Sequence, residues 1–307
     1  MNCERIALTC APGGENHTGN QFIGKMPEKG SGLTFTDLTE IANKIVMKRK
    51  TEIIQEIEKH DVGVELLDLN KLCGDNIIDE IGGIYESEKA GVLIVRNWVE
   101  NTDTQNIYDE CILDEWDKKY LDPNKYREEI VDGEKVRVRG KVLNKHARSN
   151  ICYVEDRNQT ADYLNGKGTI VDLNEKTCIK KQVDRLRNLH EKLEINVVEG
   201  NRYFDLKKTG IGFHGDTERA IVMCLSIGGG GNYPMRWQWF KGGFPVGNFI
   251  DVKLNDGDLY IMSEKSVGMD WKLRSKYTLR HAAGAEKYTT LKKWEKRLLE
   301  KKSKIKK

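Results

Sequence analysis

The sequence predicts an α+β protein: a small N-terminal α/β unit, flanking helices, and a β-sandwich or barrel in the C-terminal part. Three observations carry that reading. From Asn201 onward, short apolar or alternating runs are separated by glycine-rich turns, the pattern of packed strands. Leu38, Ile41, Ile45, Ile53, Ile54 and Ile57 recur at helical spacing. Gly91-Val92-Leu93-Ile94-Val95-Arg96 is an apolar run of strand length.

Taken in order, Glu4–Cys10 reads as a short strand, and Pro12–Asn20 as a polar, structured turn containing His17. Asp37 opens a helix, with Glu40 three residues on as in a capping box. That helix runs to about His60, and Val62–Leu69 follows as a strand. Residues 1–80 thus form the N-terminal α/β extension and residues 81–285 the main domain. Residues 100–140 are highly charged and poor in aliphatics, with a turn signal at Asp122-Pro123-Asn124. They are expected as exposed helix and loop, a lid or an insertion. The basic stretch Val142–Tyr153, with Lys145, His146 and Arg148, fits either a solvated strand face or a substrate-facing strand. Cys178–Leu193 is amphipathic through Ile179, Val183 and Leu186, with His190 at the surface.

The apolar run Ala220–Ile227 is a strand, and Gly228–Gly231 a turn. No Lys-Ser/Thr follows those glycines, so they are not a phosphate loop. In Met235–Phe240, Trp237 and Trp239 alternate with Arg236 and Gln238. Phe249–Leu254, Leu259–Met262 and Tyr277–Ala282 complete the strands.

The totals narrow the class. The chain has 307 residues and 32% charged residues, but a net charge of only +3, so no global field points to nucleic acid. Residues 286–307 carry ten Lys/Arg against three Glu and read as a basic tail. The seven cysteines form no CxxC pair, which suits reduced thiols in an intracellular, cytoplasmic or nuclear, protein. No apolar run is long enough to span a membrane.

The chemistry concentrates in His214-Gly215-Asp216. Residues i and i+2 of a strand share a face, so imidazole and carboxylate can reach one metal ion. Two His and one carboxylate with open positions is how non-heme Fe(II) oxygenases hold iron. Around this pair stand Asn201-Arg202-Tyr203, Gly257-Asp258 before an apolar strand, and Arg274 and Arg280 six residues apart. This ordered set resembles the AlkB-like branch of the Fe(II)/2-oxoglutarate dioxygenases over roughly residues 90–285. The resemblance implies a double-stranded β-helix (jelly-roll) core, with His214 and Asp216 as iron ligands. It implies Asn201, Tyr203, Arg274 and Arg280 at 2-oxoglutarate, a dianion that suits a fixed, always-charged guanidinium. It also implies alkylated nucleic-acid bases as a substrate class, with O2 as co-substrate.

The sequence departs from the family pattern in one place: no His lies between Asp258 and Arg274. Three readings fit. His281 is the third ligand, Asp270 replaces it, or the site lacks one. His281 is preferred because it is the only His after Asp216 that completes the set. Adjacent strand residues face opposite ways, so His281 at the metal turns Arg280 out of the pocket and leaves Arg274 as the leading co-substrate arginine. Glu218 and Arg219 fit either a substrate-side pair or a surface ion pair. The alternative to an enzyme is an inactive double-stranded β-helix that serves as a binding or structural protein.

Overall fold

The computed structural model describes residues 4–19, 21–53, 63–74, 89–229 and 233–305, and strands dominate them. The N-terminal part contains β1 (Arg5–Ala11), β2 (Gly13–Glu15), β3 (Phe22–Gly24), α1 (Phe35–Ile53), β4 (Val64–Asp68), α2 (Leu69–Leu72) and β5 (Gly91–Val95). Then come α3 (Asn101–Ile112), β6 (Lys119–Val131), β7 (Glu134–Asn144), β8 (Ser149–Val154), β9 (Ile170–Asp172), α4 (Thr177–Arg187) and β10 (Val197–Tyr203). The last part holds β11 (Gly210–His214), β12 (Val222–Gly228), β13 (Tyr233–Lys241), β14 (Phe244–Leu254), β15 (Leu259–Met262) and α5 (Glu264–Val267). It closes with β16 (Thr278–Gly284), α6 (Glu286–Thr289) and α7 (Lys292–Ile305).

The strands build an eight-stranded sheet, β4-β5-β15-β12-β1-β10-β8-β9, and a four-stranded sheet, β11-β16-β13-β14. Among the described residues neither sheet closes on itself, so the fold is a mixed α+β arrangement of open sheets. Period-2 burial explains the layering. On β1, Ile6, Leu8 and Cys10 pack with Leu38, Ile41 and Ile45 of α1 and with Ile179, Val183 and Leu186 of α4. Val222, Cys224 and Tyr260 instead pack with Trp237, Trp239, Ile250 and Leu279 of the smaller sheet. Helices thus cover one face of the large sheet and the small sheet covers the other.

Several expectations need correction. The strands of residues 1–80 enter the large sheet: β1 pairs with β10 on one side and β12 on the other, and β4 pairs with β5. Helix α1 begins before Asp37. Thr34 Oγ1 accepts from the Asp37 amide at 3.1 Å and Asp37 Oδ2 from the Thr34 amide at 2.7 Å, a capping box with Thr34 as the cap. The end expected near His60 lies outside the described residues, as do Gly230 and Gly231 of the glycine turn.

Residues 119–144 are neither helix nor loop but a long hairpin, β6–β7. Its turn is Asp132-Gly133, with φ of 51° and 84°. Those positive values are what a two-residue hairpin turn needs, and Asp-Gly is its preferred sequence. The Asp122-Pro123-Asn124 signal falls instead at an irregularity within the ladder. The basic C-terminal stretch forms α6 and α7. Trp294 of α7 packs on Phe213, Phe240 and Ala282 on the outer side of the small sheet. The six described cysteines are free. No described helix is long and apolar enough to cross a membrane.

Candidate metal centre and its anion pocket

His214 ends β11 and His281 lies in the middle of β16, and the two are cross-strand partners. Their ring centroids are 4.4 Å apart. Asp216 Oδ1 lies 3.3 Å from His214 Nε2 and 3.7 Å from His281 Nε2. The ligand atoms of all three lie within 4.8 Å of one another, and two imidazoles and a carboxylate converge on one point.

Glycine between His214 and Asp216 is required by packing: a Cβ on Gly215 would lie 2.1 Å from the Gly268 carbonyl oxygen. Gly268 itself has φ +79°, and its Cβ would meet the Leu279 carbonyl at 2.4 Å. The backbone turn after α5 is thereby pressed against the His-Gly-Asp segment and the His281 strand.

Electrostatics suit a cation. Burial, and then the neighbouring His214, lower His281 to about 3, so its ring is neutral and able to donate a lone pair at neutral pH. Burial raises Asp216, but His214, His281 and Arg219 outweigh it and hold the carboxylate ionised below its usual range.

Of the alternatives for the third ligand, Asp270 is engaged elsewhere. It accepts from Lys265 Nζ at 2.7 Å and does not belong to the convergent group. Asp258 caps a turn: it pairs with Arg96 at 2.7 Å and accepts from the Asn255 and Asn97 amides. A second cluster, Asp37, Glu40 and His190, also brings ligand atoms within 4.8 Å, but Lys192 Nζ already sits 2.7 Å from Asp37.

The co-substrate expectations divide. Asn201 and Tyr203 of β10 face the space between the sheets, with Tyr203 5.1 Å from Tyr233, ring to ring. Arg274 and Arg280 do not reach that space. Arg274 is exposed and binds the Gly242 carbonyl at 3.1 Å. Arg280 alternates with His281 and points outward over Phe240 at 4.2 Å, donating to the Trp271 carbonyl at 3.2 Å. One turn of strand parity separates it from the site.

One inward arginine is Arg5, far from these two in the sequence. It pairs in register with Tyr203 on β10 and Gly228 on β12, and its guanidinium carbon stands 5.1 Å from the Tyr233 ring. It is 1% exposed. Nη2 binds the Gly229 and Leu254 carbonyls at 3.2 and 2.8 Å, whereas Nε and Nη1 have no partner. Burial lowers its pKa. Ser226, also inward on β12, leaves its Oγ unpaired. Buried donors without partners are rare, and a buried cation without an anion is costly. The chemistry of this wall therefore fits a bound carboxylate.

Between the His214–Asp216–His281 cluster and the hairpin base runs a polar chain. Lys145 Nζ donates to Asn150 Oδ1, Asn150 Nδ2 to Asn201 Oδ1, and Asn201 Nδ2 to Glu199 Oε1, each at 2.8 Å. Arg148 also donates to Asn201, at 2.5 Å. Within Val142–Tyr153, Lys145, Arg148 and Asn150 join this chain, so the stretch is not wholly a solvated face. Glu199 is buried, receives His17 Nε2 at 2.9 Å and contacts Arg219. Arg219 is 4% exposed, so Glu218-Arg219 is no surface ion pair.

Sequence reading missed Arg5, Glu199 and Tyr233. The available signal was alternation in Arg5-Ile6-Ala7-Leu8-Thr9-Cys10, where a charged residue shares a face with small and polar ones. No family model matches the chain. It is 33% identical over 288 residues, 93% of this chain and 97% of the relative, to an uncharacterized protein of Acanthamoeba polyphaga mimivirus.

Proposed function

We propose, for a chain that belongs to the same family as this mimivirus protein, an Fe(II)- and 2-oxoglutarate-dependent oxygenase built on a double-stranded β-helix. The observation that carries the reading is the convergence of His214, Asp216 and His281, a donor set with the composition of the two-His-one-carboxylate iron sites. The unpaired Nε and Nη1 of Arg5 support it, because a dicarboxylate needs a second, fixed cation beyond the metal.

When bound, the iron and 2-oxoglutarate would supply the oxidising chemistry that hydroxylates a substrate C–H bond or removes an N-methyl group as formaldehyde. The chain's own part is to hold and exclude. His214, Asp216 and His281 would hold the metal from one side. Arg5 would bind the far carboxylate, with Tyr203 and Tyr233 beside it; burial raises the Tyr203 hydroxyl to about 12, which keeps it a neutral donor. Trp237 and Trp239, both fully buried, exclude water from the inter-sheet space.

In this reading the arginine strand precedes the metal-binding strands along the chain, whereas the resemblance placed the co-substrate arginines after them. An alkylated nucleic-acid base is the first substrate class to try. The test is anaerobic titration of the protein with Fe(II) and 2-oxoglutarate. A visible charge-transfer band is expected, and its absence from folded protein would overturn the proposal. Methylated oligonucleotides screened by mass spectrometry then test the substrate class.

A further inference from the structure

Asp216 presents its two carboxylate oxygens to different neighbours. Oδ1 faces both imidazoles, at 3.3 and 3.7 Å. Oδ2 lies 3.8 Å from Arg219 Nε. Arg219 is itself anchored by two further carboxylates: its Nη2 contacts Glu199 Oε2 and lies 3.2 Å from Glu218 Oε1. Glu199 in turn is fixed by His17 at 2.9 Å and Asn201 at 2.8 Å. Arg219 Nε is a buried donor without a hydrogen-bond partner, and an unsatisfied donor near an anionic oxygen is attracted to it.

We infer that Arg219 is a positioning residue that keeps Asp216 monodentate. The inference rests on the metal-site reading above. A carboxylate beside a divalent cation can bind through one oxygen or chelate through two. With Oδ2 held toward a guanidinium locked by Glu199, only Oδ1 is available to the metal. The coordination position that a chelating Asp216 would occupy stays open for co-substrate or water. The network also gives the unexplained His17 loop a task. It braces Glu199, and Glu199 braces Arg219.

The test uses Mn(II) as the probe, because its effect on water-proton relaxation counts the waters bound directly to the ion. Removing Arg219 alone would leave Glu199 buried and uncompensated, so the first variant is Glu199→Gln/Arg219→Met. Asp216 then chelates and displaces one water. With three protein ligands on a six-coordinate ion, relaxivity per bound Mn(II) falls by about one third. Arg219→Lys serves if the double variant does not fold. A shorter, single-point cation cannot serve Glu199 and Asp216 together, and the same fall is expected. Unchanged relaxivity in an Arg219 variant that binds Mn(II) overturns the inference and leaves the oxygenase reading standing. Failure of the parent protein to bind Mn(II), with His281→Ala making no difference, overturns the metal-site reading and this inference with it.

Discussion

Arg5→Met isolates the role of the buried guanidinium. Arg5 has two N–H-bearing nitrogens without partners, Nε and Nη1, on different edges of the guanidinium, so a carboxylate there takes one charge-assisted hydrogen bond from either. A hydrogen bond to a charged group contributes about 1.5–3 kcal/mol. Losing that bond raises the dissociation constant for 2-oxoglutarate by about 10- to 10²-fold. The protein without ligand should not suffer in proportion. Methionine fills a similar volume, and replacing a buried ion by an apolar side chain is commonly neutral or stabilising. Arg5→Lys keeps the charge but loses the planar fork, and should lie between parent and Arg5→Met. The assay is calorimetric titration of 2-oxoglutarate into anaerobic, metal-loaded protein, beside a denaturation curve of each apo variant. Arg274→Met is the control, since Arg274 is exposed on the Gly242 turn. Binding by Arg5→Met within about threefold of the parent, with affinity lost in Arg274→Met, would refute the assignment of Arg5.

Other outcomes follow from the same geometry. His281→Ala should weaken divalent-metal binding by more than about 100-fold, beyond the range for losing a group that merely supports a ligand; equilibrium dialysis checks this, and Asp270→Ala should leave the affinity near the parent value. Glu199→Ala strands the buried Arg219 and should destabilise by about 3–5 kcal/mol, read from urea denaturation. Lys145 carries a pH signature: burial lowers it to about 8 from an ordinary 10.5. Between those values the unfolded chain binds more protons than the native one, so this group makes stability rise with pH from about 8 to 10.5. The stability advantage of Lys145→Met over the parent should therefore be largest below pH 8, at no more than about 3 kcal/mol, and shrink above it. An advantage that does not change with pH would count against a buried charged Lys145.

Local pattern made most strands readable. Alternation in Met235–Phe240 corresponds to β13, with Trp237 and Trp239 fully buried. The apolar run before Gly228 corresponds to β12. The parity argument that separates Arg280 from His281 needs only adjacent residues, and the two side chains do face opposite ways. What the text hid was pairing at a distance. Nothing in Arg5-Ile6-Ala7-Leu8 says that its neighbours are β10 and β12, because either sheet edge or sheet centre accepts the same alternation. The C-terminal arginines took the anion role from the resemblance. Arg274 lies outside the strands and Arg280 on the wrong face. The hairpin β6–β7 was obscured by its charge, since both faces of an exposed ribbon are polar; Asp132-Gly133 was its one strong mark.

The central position of β1 also bears on how the molecule is made. Leu8 sits opposite Gly200 on one side and Leu225 on the other. Contacts this distant in sequence cost loop-closure entropy before they return any stability, and they slow folding. During synthesis the first strand emerges long before either flanking strand exists, with its apolar Ile6, Leu8 and Cys10 unpaired. Its two hydrogen-bonding edges are then open to other chains, the condition that promotes aggregation. Arg5 is translated long before Leu254, whose carbonyl it binds and which completes its cage.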